Sequence, residues 1–142
     1  MAEILQVADA VVAALNAGGF SMPMQAKREY LPRFDLPEMN ALHVTVVPRG
    51  LEIQAASRTA AAYDYKIDVA VQKRFSTGDA AELDPLLSLV DEIASFFQMK
   101  RLEGYPPAAW VKTEHPALFA QEHMEVLRQF TSVVTFTFRV VR

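Results

Sequence analysis

The chain closes on a run in which apolar and polar residues alternate. From Phe130 to Arg142, Val134, Phe136, Phe138 and Val140 fall on one face, and Thr135, Thr137 and Arg139 on the other. A period of two predicts a strand with one buried side. So long an apolar strand has to be drawn inside the sheet or completed by another subunit, because a bare edge aggregates. The same alternation runs from Ala61 to Phe75. There Tyr63, Tyr65, Ile67, Val69 and Val71 oppose Asp64, Lys66, Asp68 and Gln72, which predicts a long central strand. Leu42–Val47 and Leu51–Ala55 read as two shorter strands joined by a hairpin loop at Pro48-Arg49-Gly50. Residues 24–31 have no clearly apolar face and predict an edge strand, followed by a loop broken by Pro32 and Pro37. A last strand is expected over Ala108–Glu114, around Trp110.

Helical spacing occurs twice. Over residues 3–16, Ile4, Ala8, Val11, Val12 and Leu15 recur on one face, acids lie toward the start, and Gly18-Gly19 follows the end. After a turn at Ser76-Thr77-Gly78-Asp79, Asp84 is a suitable N-cap and Pro85 a suitable first helical residue. Leu86, Leu87, Val90, Ile93, Ala94 and Phe97 then make an apolar stripe, and Lys100 and Arg101 complete the C-terminal end. Ala55–Ala62 is read as a loop between strands despite its alanines, and Leu102–Pro107 as a loop. The segment from His115 to Gln129 fits neither period. The order is helix, four strands, helix, two strands. This predicts one α+β domain over residues 1–142, with an antiparallel or mixed sheet of about six strands and two helices packed on it.

Composition narrows the class of function. The 142 residues are 51% hydrophobic and contain no cysteine, so disulfides, thiolate metal sites and thiol nucleophiles are excluded. A formal charge of −3 argues against a protein that grips nucleic acid through its phosphates. No basic and apolar leader and no run of membrane-spanning length stands out, so a soluble, cytoplasmic product is expected. There is no phosphate-cradling glycine loop, no His-Glu-x-x-His and no Gly-x-Ser-x-Gly. His43, His115 and His123 lack metal-ligand spacing. Asp64 and Asp68 share a strand face but stand about 13 Å apart, beyond the roughly 5–9 Å of a working carboxylate pair. No catalytic residue, metal or cofactor is therefore expected.

The remaining candidates suit a solvated face or contact between subunits. Asp64, Lys66 and Asp68 form a row of alternating sign, and Arg49, Arg58, Lys73 and Arg74 are candidates for a basic patch without the aromatic interleaving of a nucleic-acid platform. Of these, Arg49, Arg58, Asp64, Lys66, Asp68 and Arg74 are the predicted interface residues. Trp110 and Phe119 are read as core or interface anchors. If the chain instead holds a ligand, Tyr63, Tyr65, Trp110 and His115 are the residues to line its pocket.

The leading helix, Val44-Thr45-Val46-Val47-Pro48, the Ala56-Ser57-Arg58 step, the strand from Tyr63 to Arg74, the acid-capped helix and the closing strand from Phe130 resemble, in layout, the tail terminator (tail completion) proteins of long-tailed bacteriophages, the λ-type terminator among them. The resemblance spans most of the chain and is one of texture, without a fixed motif. It implies a hexameric ring on the finished end of the tail tube, which stops tube growth and then meets the head connector while DNA passes through the lumen. It places the protein in the virion, at the head-proximal end of the tail, after assembly in the host cytoplasm. A stopper or other neck protein of related fold, a small α+β ligand-binding domain or enzyme, and a direct DNA-binding protein remain the alternatives.

Overall fold

A computed structural model describes residues 1–31 and 40–142. The expected loop at Pro32 and Pro37 lies outside the described residues. The elements are α1 (Glu3–Ala17), β1 (Ala26–Arg28), β2 (His43–Ala55), β3 (Ala61–Arg74), α2 (Ala80–Phe96), β4 (Arg101–Leu102), β5 (Tyr105–Glu114), a π-helical turn (His123–Leu127) and β6 (Gln129–Val141). The strands form one mixed sheet in the order β1-β2-β3-β6-β5-β4, with only β1 parallel to its neighbour. The fold is the expected α+β architecture, with six strands and two main helices.

The terminal strand settles its own edge problem by lying inside the sheet. β6 pairs β3 without a register break, from Ala62 opposite Val141 to Arg74 opposite Gln129. Its other edge pairs β5, from Ala109 opposite Arg139 to Glu114 opposite Thr135. Register puts Ile67 beside Phe136 and Tyr65 beside Phe138, so the apolar sets of β3 and β6 share a face. Phe136, Phe138, Ile67 and Val69 are completely buried there. Val7 and Val11 of α1 and Leu89, Val90 and Ile93 of α2 complete the same core. Phe97, just past α2, meets the rings of Phe136 and Phe138 edge-on, with centroids 5.0 and 5.6 Å away, an arrangement aromatic quadrupoles favour.

Several local expectations are corrected. Pro48-Arg49-Gly50 is not a hairpin loop. The chain runs straight through it as one long β2, with a β-bulge between Pro48 and Gly50. Proline is tolerated because β1 pairs β2 only at Val44–Val46, so Pro48 is on a sheet edge and its missing N–H costs no ladder bond on that side. The true hairpin turn is Ala56–Ala60, inside the stretch expected to be a loop.

The main helix begins five residues earlier than Asp84 and Pro85 suggest. Asp79 is its N-cap, with its carboxylate accepting from the Glu82 N–H at 3.0 Å. Glu82 in turn accepts from the backbone of Ser76, Thr77 and Gly78, at 2.7, 3.2 and 3.3 Å. This is a relative of the capping box, with Asp in place of Ser or Thr and with Glu82 reaching the three N–H groups before the cap residue, and it overrides Pro85, which sits inside the helix. Gly78, at φ 72°, supplies the left-handed residue that the turn into the cap needs.

Lys100 and Arg101 are not in the last turn, since α2 ends at Phe96 and Arg101 opens β4. Most of the expected loop Leu102–Pro107 is the β4–β5 hairpin, whose Gly104 lies so close to α1 that an added Cβ would meet Ala10 at 3.2 Å. The edge strand expected over 24–31 shrinks to Ala26–Arg28, tied to the end of α1 by Asn16, which donates to the Ala26 carbonyl and accepts from its N–H.

Removing a core ring and removing an exposed branched side chain should differ sharply. Phe136→Ala and Phe138→Ala should each cost about 3–5 kcal/mol, whereas Ile53→Ala, at a half-exposed position, should stay within about 0.5 kcal/mol. Urea midpoints of the purified variants check this.

Candidate functional site

Beyond its pairing with β1, β2 runs on as an edge strand of the sheet, backed by β3 and then β6, to the turn at Ala56–Ala60, and this edge with its turn forms an arm. The arm continues the β2–β3 pairing through Leu51 opposite Tyr65, Ile53 opposite Tyr63 and Ala55 opposite Ala61. At its tip, Ala56 and Ser57 donate to the Ala60 carbonyl at 3.0 and 3.1 Å. The last bond that β2 receives on its outer side is Glu29 N–H to the Val46 carbonyl, at 3.0 Å. Beyond Val46, no strand pairs that edge among the described residues. Every residue from Leu51 to Thr59 is exposed, and Leu51 and Ile53 retain 51% and 55% of their accessible surface. An open edge carrying branched apolar side chains is a template for another chain. The bulge at Pro48, together with Arg49 and Glu52, limits indiscriminate pairing.

The face of the sheet turned away from the helices carries the charge row. Arg139 grips Asp64 through two hydrogen bonds, of 2.7 and 3.0 Å, and Asp64 is buried. Asp68 accepts from Thr135 at 2.7 Å and lies 3.6 Å from the Arg49 guanidinium, which also donates to Thr135 at 3.2 Å. Arg49, Asp64 and Asp68 are thus brought onto one face and find their partners within the chain. A half-exposed Lys66 stands between the two aspartates. The remaining candidates are elsewhere. Arg58 is at the arm tip, and Lys73 and Arg74 close the far end of β3, roughly 40 Å away along the strand. The four cations therefore do not make one patch.

A third cluster had no signal in the sequence, because its members are scattered along the chain. Glu3, at the start of α1, accepts from Tyr65 and Tyr105, each at 2.5 Å, and from Arg142 at 3.1 Å. The Arg142 guanidinium lies over the Tyr63 ring, 4.0 Å from its centroid. Burial pushes the Glu3 carboxyl up, but bonds from Tyr105, Tyr65 and Arg142 outweigh it and hold it below its usual value. Burial, then the Glu3 hydrogen bond, pushes the Tyr65 phenol up to about 12. The cluster locks α1 to β3, β5 and the end of the chain.

The residues expected to line a ligand pocket do not converge. Tyr63 and Tyr65 belong to the Glu3 cluster, while Trp110 packs beside Phe138 and donates to Thr113 at 2.8 Å. His115 bonds Ser132 at 2.8 Å, about 20 Å along β6 from Phe138. Burial lowers the His115 pKa. His115 borders an open groove of about 620 Å³ between α2 and the segment before the π-helical turn, floored by Leu87 and Leu118 and rimmed by Asp84 and Asp91. Phe119 lies on that same segment, partly exposed, and is not a core anchor. His123 bonds Thr131 at 2.8 Å and so pins the π-helical turn to β6. Among the described residues, no group of three His, Asp or Glu side chains is placed to hold a metal ion, and no helix is long and apolar enough to cross a membrane.

No protein-family model and no curated protein matches the chain.

The Glu3 cluster has a pH signature. With its folded pKa depressed, Glu3 contributes its full stability above its ordinary value of 4.5, and the contribution fades as pH falls through the lower folded value. Glu3→Gln should cost about 1–3 kcal/mol at pH 7, since it replaces a charged acceptor of three bonds. The gap between wild type and variant should narrow as pH is lowered toward 3. Urea unfolding at a series of pH values measures both.

Proposed function

We propose that this chain is a structural subunit that assembles with copies of itself into a ring on the finished end of a phage tail tube. The ring stops tube growth and offers its outer surface to the head connector. The observation that carries the reading is the edge of β2 beyond Val46, which is unpaired among the described residues, with Leu51 and Ile53 exposed on the arm. Such an edge is a liability in a monomer and an asset in a building block. The layout resemblance of the sequence to tail terminators supports the same role. A ring of identical subunits uses two different patches on each copy, and the arm is one such patch.

The role needs no reacting group, cofactor or metal. Mild net acidity suits a lumen that lets DNA pass, since a strongly basic lining would hold the phosphates. On the sheet face, the Arg139–Asp64 and Arg49–Asp68 pairs keep mixed charges in fixed positions, which favours registry over raw affinity.

Tails assembled without this protein should be abnormally long in electron micrographs, and adding it back should restore a uniform length. Normal lengths in its absence would refute tube termination and favour another neck position. Leu51→Lys with Ile53→Lys should leave the circular dichroism spectrum unchanged yet abolish ring formation, scored by light scattering in solution and by electron microscopy on tubes. Rings that form undiminished with both lysines would remove the arm from the interface.

A further inference from the structure

We propose that the arm of one subunit docks into the groove between α2 and the His115–Phe119 segment of the next, with Arg58 at the acidic rim. This rests on the ring reading above and adds the second of its two patches.

The two surfaces are complementary. The arm offers exposed Leu51 and Ile53, and its tip carries Arg58, which has no ion-pair partner among the described residues. The groove offers an apolar floor of Leu87 and Leu118, the latter 52% exposed. Its rim holds exposed Asp84 and Asp91. Neither Asp84 nor Asp91 forms an ion pair among the described residues, and Asp91 lies near His115. Glu92, also on the rim, is already engaged by the Ser21 backbone N–H at 3.0 Å and by the Ser21 hydroxyl. An apolar ridge with a cationic tip meets an apolar trough with an anionic lip.

The placement of the patches selects the symmetry. The groove lies at the start of β6, where His115 bonds Ser132, and the arm at its end, where Val141 pairs Ala62. Nine strand residues, about 30 Å, separate the two. A contact between patches so far apart on one molecule is heterologous, and repeated with a closing rotation it gives a ring. An edge-to-edge pairing of two arms would be isologous and would stop at a dimer.

The absence of cysteine allows a clean test. Both positions are exposed, so Arg58→Cys and Asp91→Cys should fold normally. Under mild oxidation, with tail tubes present, the full-length double variant should give a ladder of covalent oligomers on a non-reducing gel, and neither single variant should. A covalent dimer from Arg58→Cys alone means that arms meet arms and overturns the proposal. Rings visible on tubes without any ladder overturn the docking site and leave the ring reading standing. No assembly of wild-type protein, either in solution or on tubes, overturns both. In parallel, Arg58→Glu and Asp91→Arg should each weaken assembly about tenfold, and the two together should regain most of it. Failure of the combined reversal to recover assembly counts against the pairing.

Discussion

The unbroken register between β3 and β6 is the constraint on which the rest of the molecule depends. It aligns Val69 with Val134, Ile67 with Phe136 and Tyr65 with Phe138, so one face of the sheet becomes a continuous apolar wall. A slip of one residue would turn Phe136 and Phe138 outward and bring Thr135 and Thr137 against the helices, which sheet parity forbids while the core exists. Phe97 then closes the wall edge-on against both rings, and this fixes where α2 lies. The groove beside α2 follows from that seat.

The two faces of the sheet use different physics. The helix side is held by burial and close packing, its polar groups among the described residues paired with each other: Ser132 with His115, and Tyr65 with Glu3. The opposite side is almost as well buried at Thr131, Thr135, Thr137 and Gln72, although neither α1 nor α2 covers it. There the segment through the π-helical turn lies across the start of β6, held by the Ala120 N–H to the Thr131 carbonyl at 2.8 Å and by His123. Arg128 ends this segment in a left-handed conformation, at φ 51°, unusual for a side-chain-bearing residue. It is secured by the Phe75 N–H to its carbonyl at 2.9 Å and by its guanidinium on the Ser76 carbonyl. Tertiary contacts impose that conformation, and this is why residues 115–129 show neither a helical nor a strand period in the sequence.

Much of the fold was legible because its strongest signals are periodic. The alternation in β3 and β6 and the stripes of α1 and α2 named the core faces correctly. What misled were local punctuation marks with more than one meaning. Pro48 and Gly50 mark a bulge on an open edge as readily as a turn, and only the pairing partner decides between them. Asp84-Pro85 imitates a helix start, but Asp79 and Glu82 together cap the backbone better. The charge row was legible as a row. Its internal partners were not, because Arg139 and Thr135 come from a strand more than sixty residues away. The Glu3 cluster is invisible to any local reading for the same reason.

The bulge also fixes the sidedness of the arm. Before it, the core-facing residues of β2 are Val44 and Val46; after it, the same face is carried by Leu51 and Ile53, opposite Tyr65 and Tyr63. The spare residue shifts the count from even to odd. Were the same residues paired regularly, with no bulge, Glu52 would stand opposite Tyr63 and Leu51 and Ile53 would turn to the other face. By taking up the spare Arg49, the bulge thus decides which side of this edge is greasy: it keeps the aliphatic pair on the core-facing side of the strand rather than on the charged side.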